Sequence, residues 1–135
     1  MAKIEFDGFD EYVKKIQALG GNVEGICKQA VYPAAGLVIE EIKRSVPVDT
    51  GTLRDSAALN AFVNNDGYIY TEVTFRGTDE RGHPNPVKAR ALESGTSRQK
   101  KRPFIRPAVN RVKGAAEVEI ERNFLAIIDK MMGGN

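Results

Sequence analysis

Lys3-Ile4-Glu5-Phe6 alternates polar and apolar residues, the period of a strand with one buried face, and predicts a short strand at the start of the chain. The period then lengthens. Tyr12, Val13, Ile16 and Leu19 share one face of a helix that Asp10 can cap and Gly20-Gly21 ends. Asn22 can cap a second helix, on which Val23, Ile26, Cys27, Ala30, Val31, Val38 and Ile42 form one stripe. That helix stops near Ser45, before Pro47. Pro33 lies inside it and predicts either a bend in a continuous helix or the first residue of a new one. The small pair Ala34-Ala35, which permits close packing, favours the bent continuous element.

From Ala57 the period becomes two. Leu59, Ala61 and Val63 face one way, and Asn64-Asn65-Asp66-Gly67 makes a turn. Ile69, Thr71, Val73 and Phe75 then alternate with Tyr70, Glu72, Thr74 and Arg76, so residues 57–76 predict a β-hairpin with one buried face. Gly82, Pro84 and Pro86 break any regular element over about 77–87, which predicts a mobile loop. Residues 87–92 read as a short helix or an edge strand, and 97–102 as a second mobile loop. The last element starts at Pro103 or Pro107 and runs to about Met132, with Ile105, Val109, Val112, Ala116, Ile120, Phe124, Ile127 and Met131 recurring every three or four residues. Some 26 helical residues make a rod of ~39 Å, longer than one small sheet is wide, so part of it is expected to overhang and pack on a neighbour.

The 135 residues fit a single domain, 1–135, large enough to bury roughly two thirds of its unfolded surface. A content of 41% hydrophobic and 28% charged residues is that of an ordinary globular chain and excludes a disordered one. No apolar run approaches the ~20 residues of a membrane span, and the first residues lack the apolar stretch of a signal peptide, so neither membrane contact nor export is expected. The single cysteine, Cys27, cannot form an internal disulfide, in keeping with a reducing cytoplasm. The net charge of +2 conceals an asymmetry: from Arg76 to Lys113 stand 11 basic residues against 3 acids, giving +8 there and −6 elsewhere. Such a split suits head-to-tail association of copies or docking on an acidic partner, and it also describes two solvated surfaces of opposite sign.

Three segments carry the remaining information: Val46-Pro47-Val48-Asp49-Thr50-Gly51-Thr52-Leu53-Arg54-Asp55-Ser56, then Ala91-Leu92-Glu93-Ser94-Gly95-Thr96-Ser97, then Arg102-Pro103-Phe104-Ile105-Arg106-Pro107-Ala108. They supply turns, caps and anchors rather than a nucleophile beside a base. Their order and spacing resemble the family of gene product ten of phage HK ninety-seven, small virion proteins of long-tailed bacteriophages grouped with head–tail joining and tail-completion proteins. The resemblance spans most of the chain, roughly from the helix before Val46 to the helix after Pro107. It implies a virion protein, assembled in the cytoplasm of the bacterial host, that forms a ring at the neck and joins the head to the tail or completes the tail end. Implied partners are further copies of itself, connector or head-completion proteins, and tail-tube or tail-terminator proteins. In the family the first segment recurs at a helix-to-sheet junction, which implies a shaped corner at a subunit interface. The interface candidates are then Asp49, Thr50, Gly51, Leu53 and Arg54, with Glu93, Gly95, Thr96, Ser97, Pro103, Phe104, Arg106 and Pro107.

The residues of these segments have readings of their own. Asp49-Thr50-Gly51 is also the triplet of aspartic proteases, but a helix precedes it and Pro47 would disrupt a central strand. Here Pro47 stops the helix, Asp49 or Thr50 caps a helical turn, Gly51 relieves backbone strain, Leu53 anchors the turn and Arg54 stays outside. Gly95 suggests a positive φ, and Thr96 and Ser97 can bond local amides; the glycine spacing and lysine of a phosphate-binding loop are missing. Arg98, Lys100, Lys101 and Arg102 place four cations in five residues, suited to DNA phosphates or an acidic partner and equally to a solvated loop. Phe104 is expected to plug the core, Pro107 to set a helix start, and Arg106 to pair with a carboxylate such as Glu93 or to reach a partner. His83 and Cys27 cannot assemble a His/Cys metal site, and no Ser-His-Asp set is indicated, so no metal, cofactor or catalytic residue is expected.

Together these readings predict an α+β domain: a small antiparallel sheet with a central hairpin, packed against a bent helix and a long C-terminal helix. The expected function is structural, with weak non-specific DNA contact in a ring lumen as one role for the basic loop. The alternative is a basic nucleic-acid-binding module using residues 98–106.

Overall fold

The computed structural model describes residues 2–47, 51–65 and 67–133. In chain order its elements are strand β1 (Ala2–Phe6), helices α1 (Asp10–Ala18), α2 (Val23–Ser45) and α3 (Thr52–Ser56), strands β2 (Ala57–Leu59), β3 (Val63–Asn65) and β4 (Tyr68–Phe75), and helices α4 (Asn85–Ser94) and α5 (Ile105–Met131). This is the α+β architecture the periodicities predict.

The alternation in β4 makes it the central strand. Ile69, Thr71, Val73 and Phe75 are buried beneath the helices, while β1 pairs antiparallel along one edge and β2 and β3 along the other. The expected hairpin is present, but its first strand is broken. Leu59 pairs with Val73 and Val63 with Tyr70, so the three residues 60–62 face only Thr71 and Glu72. One extra residue makes a bulge, and every side chain beyond it changes face. Leu59, Ala61 and Val63 therefore do not share a buried face: Val63 is 44% exposed, and Phe62 packs on the core instead. Buried Thr71 marks the bulge, its hydroxyl donating to the Asn60 carbonyl.

Punctuation residues end the helices where expected, with one correction. Gly20, at φ +79°, and Gly21 donate to the carbonyls of Gln17 and Ile16 at 3.0 and 2.9 Å, closing α1. Asn22 caps α2 by accepting from the Gly25 amide at 3.3 Å. Asp10, however, is the first helical residue of α1 rather than its cap; Phe9 holds that position, buried, with no side-chain cap bond.

Helix α2 runs unbroken through Pro33. The ring removes an N–H from the turn, and in that turn Asn123 of α5 donates its side-chain amide to the Ala30 carbonyl at 2.9 Å. Helices α2 and α5 lie antiparallel along their whole length. Arg111 bonds Glu41 at 3.0 Å near one end, and at the other Met131 lies against Gly21. The expected overhang is absent, since the buried positions of α5 extend from Ile105 to Ile128. The 23 residues of α2, about 34 Å of helix, supply the partner that the narrow sheet does not. Phe6, Phe75 and Phe124 are fully buried between the layers, each contributing about 1.5–3 kcal/mol over exposure.

Candidate assembly surface

The C-terminal end of α2, the N-terminal end of α5 and the end of β4 meet at one pole, and the three notable segments gather there. After Ser45 the backbone turns extended at Val46 and leads through Pro47. Val48, Asp49 and Thr50 lie outside the described residues. The N-cap position of α3 is Gly51, with φ +85° and no side-chain cap bond, a conformation that favours glycine. Leu53 is buried, while Arg54 is exposed and bonds Asp55 at 3.0 Å. The Thr52 hydroxyl donates to Glu80 at 2.9 Å, and α3 packs on α4, so the corner is tied to the segments that follow β4.

Glu93, at the end of α4, holds the second and third segments together. Its carboxylate accepts from the backbone amides of Phe104, Ile105 and Arg106 at 2.8, 2.9 and 3.1 Å. These are the cap and first two positions of α5, and the next residue, Pro107, has no N–H. A helix start leaves four amide positions without internal partners; here one carboxylate serves three and a proline removes the fourth. A negative group at this end also opposes the helix dipole. Glu93 is one of the carboxylates the sequence offers to the Arg106 side chain, but the bond uses the Arg106 amide and not its guanidinium. Phe104 is buried as expected, edge-on to Phe75 with ring centres 5.6 Å apart.

The basic run hangs between these anchors. Gly95 has φ +77° and ψ 172°, and an added Cβ would stand 3.1 Å from the Lys101 nitrogen. The Thr96 hydroxyl accepts from the amides of Arg98 and Gln99 at 3.2 and 2.9 Å, while the Thr96 amide donates to the Gln99 carbonyl. Arg102 then bonds the Leu92 carbonyl through its own amide at 2.7 Å. Ser97, Arg98, Lys100, Lys101, Arg102 and Pro103 are exposed. Among the described residues, none of the four cations of this run makes an ion pair.

Sequence reasoning missed two residues of the neighbouring loop. Asp79 accepts from the amides of Arg81 and His83 at 2.9 and 2.8 Å and from Lys88 Nζ at 3.0 Å. Asn85, buried, anchors the loop by donating its side-chain amide to the Arg76 carbonyl at 2.9 Å. An aspartate followed closely by Gly82 and Pro84 was the available signal, since such side chains fold loops onto themselves. The His83 amide foremost, then Lys88 and the Arg81 amide, hold the Asp79 carboxylate down to about 2 from an ordinary 3.8, against the opposing effect of burial. The folded chain thus binds fewer protons here than the unfolded one between these values, and the stabilisation disappears as pH falls through about 2. The amide resonances of Arg81 and His83 are expected to titrate with a midpoint near 2, and a midpoint near 3.8 would show the bonds to be absent in solution.

The charge split of the sequence is also a split in space. Residues 76–113, carrying +8, run from the end of β4 through α4 into the first third of α5, at the pole just described. Residues 1–24 and 114–133, forming β1, α1, the start of α2 and the far part of α5, hold nine acids against five bases. Among the described residues no group of three or more His, Cys, Asp or Glu could hold a metal ion, and no helix is long and apolar enough to cross a membrane.

A family model described as "Bacteriophage HK97-gp10, putative tail-component" matches residues 10–123, which include all three segments and most of both long helices. No curated protein and no solved structure matches the chain.

Proposed function

Because the chain belongs to the bacteriophage HK97-gp10-like family of tail components, we propose that it acts at the head–tail interface, forming a ring that joins or completes the tail. The family membership makes it a structural protein of a phage tail and gives it other phage structural proteins as partners. One observation supports the finer reading: the pole where the three segments gather is strongly basic, residues 76–113 carrying +8, and it faces away from an acid-rich far end. A contact between unlike ends of identical copies is heterologous, and such a contact yields a ring when its rotation closes. Its occupants at the neck would be further copies, a connector or head-completion protein on one side and a tail-tube or tail-terminator protein on the other. The interface candidates of the three segments divide in this reading. Leu53, Gly95, Phe104, Pro107 and Glu93 shape the pole, while Arg54, Thr96, Ser97, Pro103, Arg106 and the four cations of the basic run lie on its surface.

Deleting the gene from the phage genome that carries it is expected to leave filled heads and separate tails, visible by electron microscopy; joined, infectious particles would refute the reading. Replacing Arg98, Lys100, Lys101 and Arg102 with serine is expected to slow assembly about tenfold or more, the low end of electrostatic steering, and so to lower its yield. It is expected to leave the melting temperature within a degree or two, because all four side chains are exposed. The nucleic-acid reading rests on the same four exposed cations. It predicts steeply salt-dependent DNA binding by the isolated chain, whereas the ring reading predicts weak, sequence-blind attraction at most.

A further inference from the structure

The exposed charge of the basic pole is not cancelled by the acids around it. Asp79 faces two amides and Lys88, Glu80 accepts from the Thr52 hydroxyl, and Glu93 caps α5 through three amides. The four cations of the basic run, with Arg76, Arg81, Arg90 and Arg106, are exposed and make no ion pair among the described residues. The chain entering the pole, residues 40–56, holds four acids and three bases, which lowers the +8 of residues 76–113 to +7. The far end, with nine acids against five bases, carries −4, so a contact between copies leaves +3 on the pole. Two further observations say which anion fits. Of the exposed large apolar side chains among the described residues, only Val87 lies within residues 76–113. The centre of a protein–protein contact is apolar and poor in lysine, whereas a surface for nucleic acid is polar and strongly positive. The one aromatic residue of this stretch, Phe104, is buried, so no ring is free to stack on an unpaired base. Phosphate contacts remain, and a duplex offers them densely, one charge per ~1.7 Å of axis.

We propose that the basic pole binds the phosphate backbone of duplex DNA without reading its sequence, through residues 98–102 together with Arg76, Arg81, Arg90 and Arg106. This rests on the nucleic-acid reading above and widens it, from one loop to a whole pole and from nucleic acid at large to a duplex. It leaves room for the ring, because the acid-rich end of a second copy neutralises only part of the pole. The affinity of one chain is expected in the range of non-specific binding, about 10⁻⁴–10⁻⁶ M at physiological salt. Copies held together in a ring would add their contacts on one duplex.

The test follows binding of the full-length protein to labelled duplexes by fluorescence anisotropy, from about 50 to 200 mM salt. Replacing Arg98, Lys100, Lys101 and Arg102 with serine is expected to flatten the slope of log K against log salt by about 3.6, about 0.9 for each phosphate contact. Over that range the parent then loses affinity roughly a hundredfold more than the variant. Arg76→Ser and Arg106→Ser are each expected to flatten the slope by about 0.9, while Arg98→Lys with Arg102→Lys keeps the charge and leaves it unchanged. Two duplexes of unrelated sequence are expected to bind equally, and a single strand of the same length more weakly. Slopes unmoved by Arg76→Ser and Arg106→Ser, or a single strand bound more tightly than the duplex, would overturn the inference while the loop reading survives. Absence of binding at about 50 mM salt would remove both. Poly-glutamate bound as tightly as a duplex of equal charge would assign the pole to an acidic protein and overturn the inference too. Light scattering of the parent with neck proteins judges the ring reading separately, since that assembly needs no DNA.

Discussion

Glu93→Ala should cost about 3 kcal/mol of stability, because each buried amide left without an acceptor costs about 1–3 kcal/mol. Two of the three amides it serves, those of Phe104 and Ile105, belong to buried residues, while the Arg106 amide is placed to recover water. For a domain of this size that is a fall in melting temperature of ~10 °C, read by thermal denaturation. Glu93→Gln keeps one carbonyl oxygen and should lose roughly half as much, since hydrogen bonds to a charged acceptor are about twice as strong. The effect reaches function through geometry. Glu93 fixes α4 to the start of α5, and the basic run is strung between them, so its loss should lower assembly yield with every cation still present. An alanine variant within about 0.5 kcal/mol of the parent, the ordinary range for surface changes, would show that the cap does not hold in solution.

Gly67→Ala is expected to destabilise by a similar or larger amount, for steric reasons. The residue has φ +94°, and an added Cβ would stand 2.3 Å from both the nitrogen and the Cα of Asp10 and 2.7 Å from the carbonyl carbon of Phe9. Those are backbone atoms and cannot swing aside, so the start of α1 must shift. Left-handed strain adds about 1–2 kcal/mol and overpacking about 1–3 kcal/mol, for a sum of about 2–5 kcal/mol against a typical total of 5–15 kcal/mol. Gly77→Ala is the control. It shares a positive φ of +79° but has nothing within 4 Å of the new Cβ, so only the strain remains. Equal losses at the two positions, measured by urea denaturation, would show that the close approach of the turn to α1 plays no part.

Much of the site was legible one residue at a time. The positive φ at Gly95, the buried ring at Phe104 and the exposed cations from Arg98 to Arg102 follow from side-chain type alone. Which groups they join was not legible. Glu93 had several cations nearby in sequence and bonded three amides instead, and the acid that organises the loop after β4, Asp79, was passed over altogether. An ion pair inferred from charge alone has many equivalent solutions. A helix start with unpartnered amides becomes a candidate only when the helix is known to begin beside the carboxylate.

What the sequence by itself determined is everything governed by short-range sterics and periodic burial. The alternation in β4, the stripe on α2, the closing glycines of α1 and the asparagine that starts α2 each depend on neighbours a few residues away. Tertiary structure alone decided the bulge at 60–62 that turns Val63 outward, the pairing of α5 with α2 rather than with a neighbour, and the meeting of three distant segments at one pole. These depend on which surfaces remain to be covered once the sheet and helices have formed, and a pattern of period two or 3.6 is the same whichever surface covers it.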